Sequence, residues 1–382
     1  MRTLNGVSLA LAALMLAPCG IAGAADAAPS AWWVHIGTYS GGDGGGIHLL
    51  RLDVEAGTLS YVSLAVEARN AGFLALHPSK PLAYAVGEEG GTGTVAAYNL
   101  DPATGLMTEI NRQSSVGNGP CHVFVTPSGG HVLAANYGSG SVVAFPVQPD
   151  GSLGKASGFS QHSGSSVNPK RQEGPHAHSI YTDAAGRFAF SPDLGIDKIM
   201  IYQLDAASGK LLPHEPAFAE TAPGAGPRHF AFHPNGRFGY VVNELDNTVT
   251  AFAYDANTGR LDTIHSVGTL PEDFKGENTT AEIRVHPSGK FVYASNRGHD
   301  SLAIFTVEQD TGKLTPAGHA PTLGKTPRNF NVDPSGKFVV AANQASGTVN
   351  LFRVDQETGA LTPAEQSVKV PVPVCVVFSP AP

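Results

Sequence analysis

Short runs of apolar, β-branched and aromatic residues alternate with Gly-, Pro-, Asn- and Asp-rich breaks along almost the whole chain. Such runs, four to eight residues long and bounded by turn formers, predict strands. Around His229 the pattern predicts strands over residues 230–233, 238–242, 248–254 and 261–267, separated by turns at Pro234-Asn235-Gly236 and near Asn247 and Gly259. With 45 glycines and 28 prolines, tight turns are abundant, which again suits many short strands better than helices.

The same four-strand unit recurs. A Gly-(x)-Leu turn appears at Gly57-Thr58-Leu59, Gly105-Leu106, Gly151-Ser152-Leu153, Gly209-Lys210-Leu211, Gly259-Arg260-Leu261, Gly312-Lys313-Leu314 and Gly359-Ala360-Leu361. A Pro-x-Gly turn, mostly after His or Asp, stands at Pro127, Pro234, Pro287 and Pro334, and at Pro78 with Lys80 in place of the glycine, with weaker copies at Ala184 and Pro380. These turn positions lie 46 to 57 residues apart. Four antiparallel strands per repeat of this length describe a propeller blade. Before the first whole unit there are only three strands, over 33–38, 46–53 and 59–64, and a lone strand at 372–378 follows the last. The fold class expected is therefore all-β, a seven-bladed β-propeller whose N-terminal blade is closed by the C-terminal strand, occupying residues 25–382 as one domain.

The N-terminus reads differently. Arg2, the apolar run over residues 7–16 and the small residues Ala22-Gly23-Ala24 have the form of an export signal over residues 1–24. Its apolar run is too short to span a bilayer, and Pro18 before Cys19 makes a poor lipidation site. A periplasmic or secreted protein without membrane insertion after cleavage is expected. Of three cysteines, Cys121 and Cys375 would remain, on innermost strands of non-adjacent blades, as two buried free thiols. The formal net charge of −8, with no Lys/Arg block, argues against nucleic acid as a partner. A monomer is expected.

Residues about six before each Pro-x-Gly turn and nine or ten after it must meet at one end of a hairpin, at one mouth of the central channel. Before the turn stand Cys121-His122, His178-Ser179, Arg228-His229, Ala281-Glu282 and Arg328-Asn329. After it stand Gly87-Glu88, Asn136-Tyr137, Asp193-Leu194, Asn243-Glu244, Asn296-Arg297 and Asn343-Gln344. The recurring asparagines suit turn caps, and His77, His233 and His286 suit the repeat itself. Arg228, Glu244 and Arg297 interrupt the repeat with charge, which must be paired or must meet a ligand. His176 and His178 form an H-x-H pair, but a catalytic metal needs about three protein ligands, so no metal and no cofactor are assigned. Two long segments, 159–173 and 270–279, are candidate lids.

Gly174-Pro175-His176-Ala177-His178, Gly226-Pro227-Arg228-His229, the run over 277–282 and the run over 295–301 together resemble the seven-bladed lactonase family, across nearly all of residues 25–382. That family includes propeller-type 6-phosphogluconolactonases and cis,cis-muconate-lactonizing enzymes. The resemblance implies a carboxylic-ester hydrolase acting on a small sugar-derived lactone. It implies catalytic roles for His176 or His178, with the repeat register favouring His178, and for Arg228, Glu244 and Arg297. Substrate-binding candidates at the same mouth are His122, Tyr137, Arg171, His229, Asn243, Glu282, Asn296, His299, Arg328 and Asn343. Since phosphorylated sugar acids are not expected outside the inner membrane, an unphosphorylated aldonolactone is the expected substrate. A muconate-type cycloisomerase and a non-catalytic binding propeller remain the alternatives. No covalent nucleophile is needed for lactone hydrolysis, and no G-x-S-x-G elbow is present.

Overall fold

The computed structural model describes Met1, residues 29–39 and residues 45–382. Apart from Met1, the expected leader lies outside the described residues. Among those residues no helix is long and apolar enough to cross a membrane. The strands form seven four-stranded antiparallel sheets arranged in a ring, a seven-bladed β-propeller. In the first blade the innermost strand is Pro373–Ala381, followed outward by Ala31–Thr38, Gly46–Asp53 and Thr58–Glu67. The split blade expected from the sequence is thus present, and Pro373–Ala381 pairs with Ala31–Thr38 along its whole length.

Burial explains the strand sequences. Each blade lies between two others, so its middle strands are covered on both faces. Phe238–Asn243 and Phe338–Asn343 are buried at every position and read as continuous apolar runs instead of alternating ones. Alternation survives on the outermost strands, such as Arg260–Gly268, which face solvent.

The two sequence signatures also tie blade to blade. The hydroxyls of Tyr84, Tyr240 and Tyr293 donate to the carbonyls of Gly151, Gly312 and Gly359 in the next blade, at 3.1, 3.1 and 2.9 Å. Gly312 and Gly359 have φ of 72° and 74°, and a Cβ there would lie 2.5 and 2.6 Å from Phe238 and Phe291 of the preceding blade. Only glycine meets both requirements, which is why this turn recurs unchanged. Before the Pro-x-Gly turns, His233 and His286 accept backbone N–H bonds at Nδ1 and donate from Nε2 to Gly289 and Gly336 of the next blade, both at 2.8 Å. Asn136, Asn296 and Asn343 donate to the carbonyls of Ser115, Thr269 and Thr322 in the blade before, at 3.0, 2.9 and 3.1 Å.

Closure uses the same devices. Trp33 of the first blade donates to the Pro102 carbonyl of the second at 3.0 Å, and the Leu59 N–H donates to Gln366 of the seventh at 2.7 Å. Removing residues 372–382 would strip the innermost strand from the first blade and leave apolar faces open on both sides of the gap. The truncated chain is expected to lose its cooperative thermal transition; a soluble truncated protein with a native-like melt would contradict the closure argument.

Candidate active site

Counting back from the Pro-x-Gly position places three tiers of residues in the channel. The uppermost, six residues before the turn, contains Cys121, His178, Arg228, Ala281 and Arg328. Here the pairing of the two innermost strands slips by a residue: between Pro120 and His122, Pro227 and His229, and Pro327 and Asn329, one residue has no partner opposite. These are β-bulges, and the bulged residues are Cys121, Arg228 and Arg328. Without the bulge, residues six and five before the turn would point to opposite faces of the sheet.

The upper mouth opens into a cavity of about 650 Å³ lined by Tyr39, Asn70, Glu88, Cys121, Tyr137, Arg171, His178, Glu244, Arg297 and Arg328, with several glycines between them. Its organising group is Glu244. Oε1 accepts from Arg171 Nη2 at 2.7 Å, and Oε2 accepts from Arg228 Nε at 2.9 Å and lies 3.0 Å from Arg297 Nη2. Arg228 also donates to the Ala281 carbonyl at 2.6 Å, and Arg297 to that of Thr280 at 2.7 Å. Burial alone would raise the Glu244 carboxyl, but the Arg297 and Arg228 guanidiniums override it and hold it well below the usual carboxylate range. Burial pulls Arg297 down to about 10, which still leaves it cationic at neutral pH.

Arg328 is different. Its guanidinium lies 5.3 Å from the centre of the Tyr39 ring, and among the described residues it makes no hydrogen bond or ion pair. His178 is buried beside it. Burial first, and then the positive charge of Arg228, keep its imidazole neutral well below the ordinary histidine range. Burial pushes the Cys121 thiol up to about 12, so it is no ready nucleophile. Beneath lies a middle tier of Phe73, His122, Ser179, His229, Glu282, Asn329 and Cys375, all buried, which closes the channel.

Of the residues singled out in the sequence, Tyr137, Arg171, His178, Glu244, Arg297 and Arg328 meet at the cavity, with Arg228 directly beneath Glu244. His176 stands behind the wall: its ring stacks on Tyr137 at 4.5 Å and its Nδ1 donates to the Tyr137 carbonyl at 3.0 Å. His122, His229 and Glu282 do not line the cavity, because they occupy the middle tier one residue further along the strand. There His229 Nδ1 lies 3.0 Å from Glu282 Oε2, which also accepts from Asn329. Asn243, Asn296 and Asn343 are buried beneath the turns: Asn243 donates to Thr248 and Thr250 at 2.8 and 2.9 Å, and the other two to the preceding blade. His299 lies outside, 2.7 Å from the Ser301 hydroxyl and packed on Phe274. Cys121, expected to be fully buried, is partly exposed on the cavity wall.

Segment 159–173 reaches the mouth and delivers Arg171; it is held by Asp197, which accepts from Ser166 Oγ at 2.5 Å and Gln172 Nε2 at 2.8 Å. Segment 270–279 does not reach the cavity, and its Asn278 instead donates to Asn296 at 3.1 Å. Tyr39, Asn70 and Glu88 complete the wall from the first two blades, where the repeat signatures are weakest. Glu88, which the repeat register already sets at the mouth, occupies the same repeat position as Glu244.

The arrangement suits an anionic or polarised oxygen ligand. Three guanidiniums, those of Arg171, Arg297 and Arg328, line the cavity and a fourth, that of Arg228, lies beneath it, against two carboxylates, Glu244 and Glu88, and the former is saturated by arginine. A divalent cation would meet that positive field and an occupied carboxylate. A family model described as "Lactonase, 7-bladed beta-propeller" matches residues 33–378. The 6-phosphogluconolactonase of Bacillus subtilis (strain 168) is 41% identical over 344 residues, 90% of this chain and 97% of that one. A solved structure of a putative 6-phosphogluconolactonase from Bacteroides fragilis is 33% identical, with a TM-score of 0.86 over 92% of this chain and 98% of the other. That of the periplasmic gluconolactonase PpgL from Pseudomonas aeruginosa is 31% identical, with a TM-score of 0.86 over 92% of this chain and 100% of the other. The chain therefore belongs to the seven-bladed β-propeller lactonases, a family of lactone-hydrolysing enzymes.

Proposed function

We propose that the protein hydrolyses an unphosphorylated aldonolactone at the upper mouth of its channel, as an exported enzyme. The observation that carries this reading is the Arg328 guanidinium, unpaired among the described residues, facing a cavity whose other arginines are tied to Glu244. Water attack on a lactone carbonyl creates a tetrahedral oxyanion, and a preorganised cation held against the carbonyl is the group that stabilises it. Arg328 fills that role, and Arg297 supports it from the neighbouring blade. The neutral imidazole of His178 takes the proton from the attacking water and returns it to the ring oxygen as the C–O bond breaks. Glu244 acts as a positioning group: a carboxylate held this low is a poor base, but it fixes three guanidiniums around the ligand. Export is supported by the leader composition and by the likeness to a periplasmic gluconolactonase.

A phosphorylated lactone is the second reading, favoured by the excess of guanidinium charge and by the 6-phosphogluconolactonase relatives. Initial rates on glucono-δ-lactone and its 6-phosphate separate the two. The unphosphorylated compound is expected to react at least as well, and exclusive turnover of the phosphate ester would overturn the assignment.

Three outcomes test the roles. Arg328→Met is expected to melt close to the native protein while kcat/KM falls by about 10²-fold, the scale of a lost oxyanion donor; an unchanged rate would remove Arg328 from the chemistry. Glu244→Gln leaves Arg228, only 2% exposed, without its counter-ion, so it is expected to lose about 3–5 kcal/mol of stability as well as activity. Chemical denaturation of that variant checks the stability loss.

The third outcome concerns pH. Because the imidazole of His178 is held below its ordinary value, the neutral, proton-accepting form persists as pH falls through about 6.5. After subtraction of spontaneous hydrolysis, kcat/KM should therefore stay level from pH 8 down to about 5.5. An acid limb near pH 6.5 would show that a histidine with an ordinary pKa, not His178, takes the proton.

A further inference from the structure

The lowest of the three tiers, three residues before each Pro-x-Gly position, is Ala75, Phe124, Tyr181, Ala231, Arg284, Asn331 and Val377. All seven line a second cavity of about 420 Å³ at the opposite mouth of the channel, within the range of about 300–1,000 Å³ typical of ligand pockets. The buried middle tier separates it from the upper cavity, so nothing bound below touches His178, Glu244 or Arg328.

The ring is divided by chemistry. Blades three to five supply an aromatic arc: the Phe124 and Tyr181 rings lie 5.8 Å apart, and Phe232 packs edge-on against Phe230 at 4.8 Å. Facing it, blades six and seven supply Arg284 and Asn331. Arg284 is the one charged residue of the tier, and a lone guanidinium among apolar side chains needs a reason. Its partners within the protein are poor. Nη2 lies 3.4 Å from Glu282 Oε2, an oxygen that already accepts from Asn329 and lies 3.0 Å from His229 Nδ1, and Nε reaches the Phe330 carbonyl only at 3.4 Å. Nη1 has no hydrogen-bond partner among the described residues, and the side chain is 24% exposed at the cavity.

We infer that the lower mouth is a second binding site, for a small organic carboxylate with a flat apolar body. The body lies against the Phe124–Tyr181–Phe232 arc and the carboxylate pairs with Arg284, which supplies the two well-formed hydrogen bonds that the guanidinium lacks in the free protein. The assignment is independent of the lactone reading, since the two cavities share no charged side chain.

The test is calorimetric titration of the purified protein with 2-naphthoate, whose fused rings fill more of the cavity than one ring would, and with the uncharged 2-naphthamide. Saturable binding of 2-naphthoate is expected, weaker by roughly tenfold or more for the amide, which cannot form the charge-assisted pair. Arg284→Met should weaken 2-naphthoate binding by a similar factor. Should that variant fold poorly, Ala75→Phe, which fills the cavity and leaves Glu282 its partner, should weaken it as well. Arg328→Met, at the other mouth, should leave the affinity unchanged. Absence of saturable binding overturns the proposal. So does equal affinity for acid and amide, and so does binding lost with Arg328 but retained with both Arg284→Met and Ala75→Phe.

Discussion

A blade of four strands has two apolar faces, and only a closed circle buries both. Every other feature of this protein follows from that constraint. It makes Phe238–Asn243 and its counterparts apolar throughout, and it calls for glycine where Gly312 and Gly359 lie against the preceding blade. It also turns the tyrosines and histidines of the repeat into ties between neighbours. Closure further converts seven short innermost strands into the wall of a narrow channel. Residues more than a hundred positions apart, such as Cys121 and Arg328, then stand around one cavity.

Within that wall, a single carboxylate sets the electrostatics of the upper mouth. Glu244 neutralises part of the charge of Arg171, Arg228 and Arg297 and fixes where each guanidinium stands. Buried ions of this kind are costly to desolvate and add little to stability, so the geometry they impose on the cavity is what they contribute. Among the described residues no carboxylate reaches Arg328, so its guanidinium is left facing the cavity.

The fold was legible in the sequence because its two turns have obligatory chemistry, glycine at positive φ, which survives in every copy of the first turn, and proline before glycine, which survives intact in four copies of the second. The charged residues of the site were legible for the opposite reason: Arg228, Glu244 and Arg297 break a pattern that is otherwise maintained. Depth was the part that could not be read. Residues such as Arg228 and His229 are adjacent in sequence, yet a bulge sets one beside the cavity and the other in the buried plug. Repeat register alone does not reveal a bulge, so His122, His229 and Glu282 were placed one tier too high. The recurring asparagines fit the repeat for the reason that they serve it, as ties between blades. Tyr39 and Asn70 fall where the signatures fade, in the blade assembled from both ends of the chain and in the segment leading into the next.

That shared blade has a consequence for how the molecule comes into being. The partners of Ala31–Thr38 are made at opposite times: Gly46–Asp53 follows within a dozen residues, whereas Pro373–Ala381 comes more than three hundred residues later. During synthesis the early blades can pair internally, but the circle has no clasp, and the face that the first blade will turn toward the seventh has nothing to cover it. The native ring is therefore a late and single event in the life of the nascent chain. A chain in this open condition is the form that can still be threaded through a narrow pore, and the closing strand marks the moment after which it no longer can.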